Sequence, residues 1–149
     1  IGDEKFVLIL DHLEDPHNFG AIIRSCEARG VKNIIIPKDR SVSVTDTVMK
    51  TSTGAIENVN IIMVNNLVAA INKLKDKGFF VYAAEADGED YRKVDYADKI
   101  CLVIGSEGFG LTKIVRQNSD VIIRIPMKGH VNTLNASVSA GILLFGIGN

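Results

Sequence analysis

Residues 5–30 read KFVLILDHLEDPHNFGAIIRSCEARG, and this stretch decides the class of fold. Lys5–Asp11 is a continuous apolar run, which is typical of a parallel strand buried on both faces. After the turn-rich segment His12–His17, apolar residues recur at helical spacing up to Gly30, where we expect the helix to end. A strand followed directly by a helix is the repeating unit of α/β proteins.

The same alternation continues along the rest of the chain. Short apolar runs predict five more strands, Asn33–Pro37, Val59–Val64, Phe79–Ala84, Lys99–Ile104 and Val121–Pro126. The sequence therefore predicts an α/β fold with a mostly parallel sheet of about six strands flanked by helices.

Helical spacing and capping residues predict what joins these strands. Thr45–Thr53 is weakly helical, and Asn66 can cap a helix that runs to Gly78. Glu85–Asp98 is predicted to be an acidic loop. A final helix carries apolar residues at helical spacing, namely Leu134, Val138, Ile142 and Phe145.

Composition is that of an ordinary globular domain. Of 149 residues, 46% are hydrophobic and 23% are charged, with a formal net charge of −1. No apolar run is long enough to cross a bilayer, and nothing at Ile1 resembles a secretory signal. Cys26 and Cys101 lie inside apolar segments, so we expect both in the core of a protein from a reduced, cytoplasmic setting. The lack of an initiating Met predicts a piece of a longer protein.

The near-zero total charge hides local charge. Residues 24–50 and residues 99–149 each carry a net charge of +3, whereas residues 1–23 and 85–98 each carry −4. A polyanion responds to the local field and not to the total, so basic faces that bind nucleic acid are compatible with this composition.

Three polar, glycine-containing loops follow predicted strands, namely Asp11–Asn18, Gly105–Gly110 and Met127–Leu134. Parallel sheets bind their ligands beyond the carboxyl ends of the strands. The sequence therefore predicts a site where these three loops meet.

Other classes of site fit these loops poorly. Gly105–Gly110 (GSEGFG) has the spacing G-x-x-G-x-G and not the G-x-G-x-x-G of dinucleotide domains, and Glu107 would repel a pyrophosphate. The G-x-S-x-G of acyl-enzyme hydrolases is also missing. His12, His17 and His130 form no H-E-x-x-H motif and no C-x-x-C is present, so a metal site has little support.

Three segments carry a resemblance when they are taken in order. Asp15–Ser25 (DPHNFGAIIRS), Leu102–Leu111 (LVIGSEGFGL) and Ile125–Ser137 (IPMKGHVNTLNAS) resemble the three motifs of the SPOUT superfamily, and more narrowly those of the TrmH-like RNA ribose 2′-O-methyltransferases. The resemblance covers essentially the whole chain. Ile35–Ser41 and Val42–Gly54 also resemble the subgroup that methylates a guanosine of 23S-type ribosomal RNA.

This resemblance implies an architecture and partners. We expect a single SPOUT catalytic domain over residues 1–149, with a carboxyl-terminal trefoil knot that binds S-adenosylmethionine and a homodimer that acts on RNA without metal or membrane. Members of the ribosomal subgroup also carry an amino-terminal L30e-like RNA-binding domain, which this sequence lacks. The family commonly has Ser-Leu-Asn-Val-Ser where this chain has Thr133–Ser137 (TLNAS), which keeps a hydroxyl and a small side chain.

The resemblance also implies site residues. The positions that match cofactor-binding residues are Ala84, Gly105, Glu107, Gly108, Ile125, Met127 and Leu134. The positions that match polar catalytic residues are Asn18, Arg24, Glu107 and Asn135.

The residue types give Asn18 and Arg24 more specific roles. Asn18 can cap the helix that contains Arg24, and Arg24 lies off the apolar face of that helix, where it is free to meet RNA. A guanidinium makes bidentate contacts to phosphate and is a poor proton acceptor. We therefore favour Arg24 as the group that fixes phosphate and ribose, with direct proton abstraction as the alternative.

The function that follows is methyl transfer from S-adenosylmethionine to a ribose 2′-hydroxyl, on a guanosine of 23S ribosomal RNA. A transfer-RNA ribose methyltransferase and a catalytically silent RNA-binding domain are the alternatives.

Overall fold

The computed structural model describes residues 2–38, 45–106, 110–131 and 133–148. Within these ranges the strands are β1 (Phe6–Asp11), β2 (Asn33–Pro37), β3 (Asn60–Val64), β4 (Phe80–Asp90), β5 (Ile100–Gly105) and β6 (Val121–Arg124). The α-helices are α1 (Pro16–Arg29), α2 (Asp46–Ser52), α3 (Leu67–Asp76), α4 (Lys113–Gln117) and α5 (Ala136–Gly146). Short 3₁₀ turns cover Ala55–Asn58 and Tyr91–Lys93.

The six described strands form one sheet in the order β3-β2-β1-β5-β4-β6, and every strand pair in it is parallel. This confirms the predicted parallel sheet flanked by helices. All the strands end at the same edge, which places the loops that follow them on one side of the molecule.

Both faces of the sheet are covered, as the apolar strand sequences predict. Along β1, Leu8 and Leu10 point into a core shared with α1, α2 and α5, whereas Val7 and Ile9 point into a second core shared with α3 and α4. All four side chains are fully buried. Each contributes about 1.5–3 kcal/mol to stability through the removal of apolar surface from water.

The ends of α1 correct one prediction. The helix begins after Asp15, whose carboxylate accepts a hydrogen bond from the His17 N–H at 2.8 Å, and Pro16 occupies the first helical position. Asn18 therefore lies inside the first turn and is not the capping residue. Asp15 is the cap, because proline is favoured immediately after a capping residue. Gly30 ends the helix in the left-handed conformation, at φ 86°, as predicted.

The predicted helix between Thr45 and Thr53 is confirmed as α2, which Thr45 caps, and Asn66 caps α3 as expected. The last helix begins later than predicted, because Asn135 caps α5 and leaves Leu134 in the loop before it. The strand before that loop ends at Arg124 and does not reach Pro126, whose ring nitrogen has no hydrogen to donate to a ladder.

The predicted acidic loop after Ala84 is the larger difference. Strand β4 continues to Asp90, because after an irregularity Glu89 and Asp90 pair again with β6. Arginines offset the acidic charge there, with Arg92 bound to Asp90 and Arg116 bound to Asp87. The acidic residues of this segment predicted a loop. Because arginines pair with them, the segment can remain in the sheet.

Both cysteines are buried and free, which confirms that they belong to the core. Burial raises the pKa of the Cys26 thiol to about 12 and raises the pKa of Cys101 as well. Both are therefore protonated at neutral pH. No helix in the described part of the chain has the length and apolar character that crossing a membrane requires.

Candidate active site

A cavity of about 610 Å³ opens at the edge of the sheet where β5 and β6 end, beside residues 84–86 in the middle of β4. Its size is within the range of small-molecule sites, about 300–1,000 Å³. The apolar part of its wall includes Ile104, Ile123 and Ile125, and the polar part includes Ser106, Thr133 and Ser139. Three separate segments of chain thus enclose one space.

All five of the predicted cofactor-binding residues that the structure describes line this cavity, namely Ala84, Gly105, Ile125, Met127 and Leu134. The sequence places them on three different elements, so their convergence is a result of the fold. The other two, Glu107 and Gly108, lie outside the described residues. That these residues bind a cofactor stays a prediction.

Ser106 and Gly110 are joined by two backbone hydrogen bonds, of 3.2 and 2.9 Å, and the described residues 105–106 and 110–112 are called the turn below. Glycine is required at Gly105, because a Cβ there would lie 2.3 Å from the Gly110 carbonyl carbon. Gly110 has a φ of 66°, which L-amino acids with side chains rarely adopt. The glycines therefore allow the backbone itself to form this wall of the cavity.

Asn18 is buried and lacks a partner. Its side chain is 5% exposed, and Nδ2 has no hydrogen-bond partner among the described residues. A buried donor without an acceptor costs about 1–3 kcal/mol, so native proteins keep few of them. Such a group is typical of a site that completes its hydrogen bond with a ligand.

Arg24 is exposed on α1, away from the sheet, as predicted from its place off the apolar face. It does not line the cavity, which lies at the ends of β5 and β6 and beside residues 84–86 of β4. A catalytic role for Arg24 stays a prediction.

Asn135 lies at the start of α5, next to the cavity-lining residue Ala136. Its Oδ1 accepts hydrogen bonds from the backbone N–H groups of Ser137 and Val138, at 2.9 and 3.4 Å, and from the Ser137 hydroxyl at 2.5 Å. The amide oxygen is therefore engaged in capping. The predicted catalytic role of Asn135 is not tested by this geometry.

Of the three predicted loops, two meet at the cavity and the third does not. Residues of Gly105–Gly110 and of Met127–Leu134 line it, whereas Asp11–Asn18 contributes none of the lining residues. Asp11 of the first loop accepts hydrogen bonds from Thr112, two residues after the second loop. The reason is the strand order, since β1 lies on the far side of β5 from β4 and β6.

The sequence interpretation missed a charged group at the cavity. Glu85 lines the cavity, accepts a hydrogen bond from the Leu111 N–H at 3.2 Å, and pairs with Arg116, which also binds Asp87 through two bonds of 2.9 Å. The hydrogen bonds that Arg116 donates lower the pKa of Asp87, and the acceptors Asp87 and Glu85 in turn raise the pKa of Arg116. An acidic residue directly after an apolar strand was the available signal.

The rim of the cavity carries basic groups. Lys128 and His130 are exposed, as expected for loop residues, and Arg124 and His130 line the cavity. The described residues contain no group of three or more His, Cys, Asp or Glu side chains arranged to hold a metal ion.

A comparison with protein families identifies the family to which this chain belongs. The model of the SpoU rRNA methylase family matches residues 5–145. The chain belongs to the SpoU rRNA methylase family. The three motifs that predicted this family therefore lie within the matched range, and two of them supply cavity residues.

Relatives of this SpoU family chain agree with the assignment. A protein of Staphylococcus aureus strain COL, assigned to the TrmH family of tRNA/rRNA methyltransferases, is 53% identical over 140 residues, which cover 93% of this chain. The alignment spans 56% of that relative, so this chain spans little more than half its length.

Solved structures share the fold. The SpoU methyltransferase AviRb of Streptomyces viridochromogenes, in complex with S-adenosylmethionine, has a TM-score of 0.85 and 25% identity, covering 95% of this chain and 58% of the other. An RNA 2′-O ribose methyltransferase has a TM-score of 0.81 and 25% identity, with 94% and 54% coverage.

Proposed function

We propose that this chain is a catalytic domain that transfers a methyl group from S-adenosylmethionine to the 2′-hydroxyl of a ribose in RNA, on a guanosine of 23S ribosomal RNA. The observation that carries the proposal is the convergence of Ala84, Gly105, Ile125, Met127 and Leu134 on one cavity. The AviRb complex with S-adenosylmethionine and the solved RNA 2′-O ribose methyltransferase support the cofactor and the reaction.

The cavity fits S-adenosylmethionine by its size and its chemistry. The isoleucines at 104, 123 and 125 offer an apolar surface to a purine ring, and the ends of three strands bring backbone donors and acceptors close to it. Met127 and Val131 line the cavity although they are 38% and 66% exposed, so a bound cofactor would cover apolar surface there.

When bound, S-adenosylmethionine supplies a methyl group on a sulfonium, and its leaving group is a neutral thioether. The protein then has to hold the 2′-hydroxyl in line and remove water, and orientation of this kind lowers a barrier substantially. Arg24 offers a permanent positive charge with bidentate geometry, suited to the phosphate next to the target ribose. In this proposal Arg24 favours the developing alkoxide, and the hydroxyl proton passes to solvent as the O–CH3 bond forms and the S–CH3 bond breaks.

Asn18 completes the polar set. Its Nδ2 is buried and has no partner within the described part of the chain, and a ribose or phosphate oxygen is the kind of acceptor that it lacks. Glu107 and Asn135 are proposed as further polar positions of the site by resemblance to the family.

The architecture of the proposal includes a trefoil knot, a homodimer and a cytoplasmic setting. The chain forms β6 at one edge of the sheet, and α5 then packs back against α1. This order is compatible with a threaded carboxyl-terminal segment. Val138 and Phe145 are about half exposed on α5, seven residues apart and so on one face, which supports a partner for that face. Free buried cysteines fit a reducing compartment.

Calorimetry with S-adenosylmethionine tests the broad class first. We expect saturable binding, and absence of binding at about millimolar cofactor, an affinity weaker than ~4 kcal/mol, would favour the silent RNA-binding domain. Mapping of 2′-O-methylation in RNA from cells that lack the protein then identifies the target. Loss of a mark from 23S ribosomal RNA supports the proposal, and loss confined to transfer RNA contradicts its target.

A further inference from the structure

We infer that Asp11 is a positioning residue for the cavity, which through Thr112 holds in place the backbone that follows the cavity residue Gly110. This inference rests on the proposed function, because it concerns the affinity of the same cavity for S-adenosylmethionine. Asp11 does not line the cavity, so it acts only through the residues that it binds.

The Asp11 carboxylate is fully buried and fully hydrogen-bonded. It stands at the end of β1, in register with Gly105 of β5, and is 0% exposed. Its Oδ2 accepts from the Thr112 N–H at 2.7 Å and from the Thr112 hydroxyl at 2.9 Å, and its Oδ1 pairs with His12 Nδ1. A buried polar group is tolerated when it has hydrogen-bond partners in this way.

Thr112 is the residue that connects the Asp11 carboxylate to the turn. It precedes α4, but its side chain makes no capping hydrogen bond to that helix and instead donates to Asp11. The chain leaves β5 at Gly105, makes the turn, and is fixed again at Thr112. Asp11 therefore sets where the turn ends.

A second carboxylate holds the same turn from the other side of β5. Glu85 of β4 accepts from the Leu111 N–H at 3.2 Å, and its Oε2 would lie 2.5 Å from a Cβ on Gly110. Strands β1 and β4 are the two neighbours of β5, so each supplies one carboxylate to the backbone at positions 111 and 112. Glu85 also lines the cavity, so its replacement would change the cavity wall directly. Asp11 does not line the cavity, so its replacement tests positioning alone.

The consequence is a cavity wall that is held before a ligand arrives. Gly105, Ser106 and Gly110 line the cavity, and their backbone must be ordered for the cofactor to bind. When the order is already present in the free protein, binding does not have to supply it. Loss of the Asp11 bonds should therefore weaken cofactor binding and leave the chemical step nearly unchanged.

The test compares Asp11→Ala and Thr112→Val with the unmodified chain. By calorimetry we expect the dissociation constant for S-adenosylmethionine to rise about tenfold in Asp11→Ala and about threefold in Thr112→Val, which removes only the hydroxyl bond. The KM for the cofactor should rise in parallel, with kcat at saturation within about twofold. Amide exchange should accelerate at Thr112 and at Leu111.

Two controls separate positioning from general stability. Asp120→Ala removes a carboxylate that accepts from the Val81 N–H at 2.7 Å, at the opposite edge of the sheet, and should keep cofactor affinity within about twofold. Thr112→Ser keeps the hydroxyl and should restore the affinity that Thr112→Val loses. If Asp11→Ala does not fold, the pair of Thr112 variants carries the test.

The outcomes of this experiment distinguish the two levels of the argument. Cofactor binding by the unmodified chain with unchanged affinity in Asp11→Ala or, should that variant not fold, in Thr112→Val overturns the inference and leaves the proposed function intact. The same holds if Asp120→Ala weakens binding as much as the turn variants do. No binding by the unmodified chain contradicts the proposed function, whatever the amide exchange of the turn shows.

Discussion

At the edge of the sheet where the strands begin, polar side chains pair with groups directly beside them. Asp120 accepts from the Val81 N–H, and Asn60 Nδ2 donates to Asn33 at 3.2 Å. At the edge where the strands end, Asp11 and Glu85 instead bind the backbone of a loop, and Asn18 keeps an unpaired donor. At the first edge these polar side chains find their partners within the protein. At the second edge a buried donor is left for a ligand to bind.

Among the variants proposed here, Arg24→Ala is expected to have the largest effect. We expect methyl transfer to fall by on the order of 10²–10³-fold, because the variant removes a charge that favours the developing alkoxide, while S-adenosylmethionine affinity stays within about twofold. Single-turnover methylation of an RNA substrate and calorimetry measure the two effects. Lys73→Ala, which removes an exposed charge on α3, is the matched control and should retain full turnover. Unchanged turnover in Arg24→Ala would refute the role.

Asn18→Leu separates the site from the fold at a single position. We expect methyl transfer to fall about tenfold or more, and stability to rise by about 1 kcal/mol because a buried unpaired donor is removed. Urea unfolding measures the second effect. Asn66→Leu is the matched variant: Asn66 Oδ1 accepts from the Ala69 N–H at 3.1 Å, so this change should cost about 1 kcal/mol and spare activity. A destabilised but fully active Asn18→Leu would assign Asn18 to the fold.

Asn33→Ala tests the completed edge. Asn33 is 4% exposed, and its loss leaves Asn60 without its side-chain partner. We expect a loss of stability of about 1–2 kcal/mol by chemical unfolding, with cofactor affinity and turnover unchanged. A fall in cofactor affinity without a fall in stability would show that the two edges are coupled.

The smallest effect concerns acid stability. The Arg92 hydrogen bonds lower the pKa of Asp90 to about 2. A folded pKa below the unfolded value, about 3.9, gives stability that is present above pH ~4 and is lost as the pH falls through about 2. Asp90→Asn should lose less stability than the unmodified chain between these values, as measured by urea unfolding at stepped pH. Parallel losses in the two proteins would contradict the assignment.

The strands and helix ends were predictable where one local rule decided the structure. The apolar run of β1 requires burial on both faces, and Gly30 suits the left-handed end of α1. The capping residue was misplaced at Asn18 because Asp15 offers the same chemistry three residues earlier. The continuation of β4 was missed because its cause, pairing with β6 and with Arg116, lies outside the segment.

The site was predictable from motifs but not from geometry. Ala84 and Leu134 were placed together by resemblance, and the cavity then showed that one fold brings them together. No sequence pattern connects Asp11 to Thr112, because they meet only through the order of β1 and β5 in the sheet. The missing partner of Asn18 is likewise a property of three-dimensional packing.

Arg29 makes contacts between parts of the chain that are even further apart in sequence. Its guanidinium donates to the carbonyl oxygens of Leu144, Ile147 and Gly148, from 115 to 119 positions away, and Asp11 reaches across 101 positions to Thr112. Pairings so distant along the chain close large loops, and chains rich in them fold slowly. Helix α5 supplies Ala136 and Ser139 to the cavity. We therefore expect the ligand site to form after the first strands and helices have packed together.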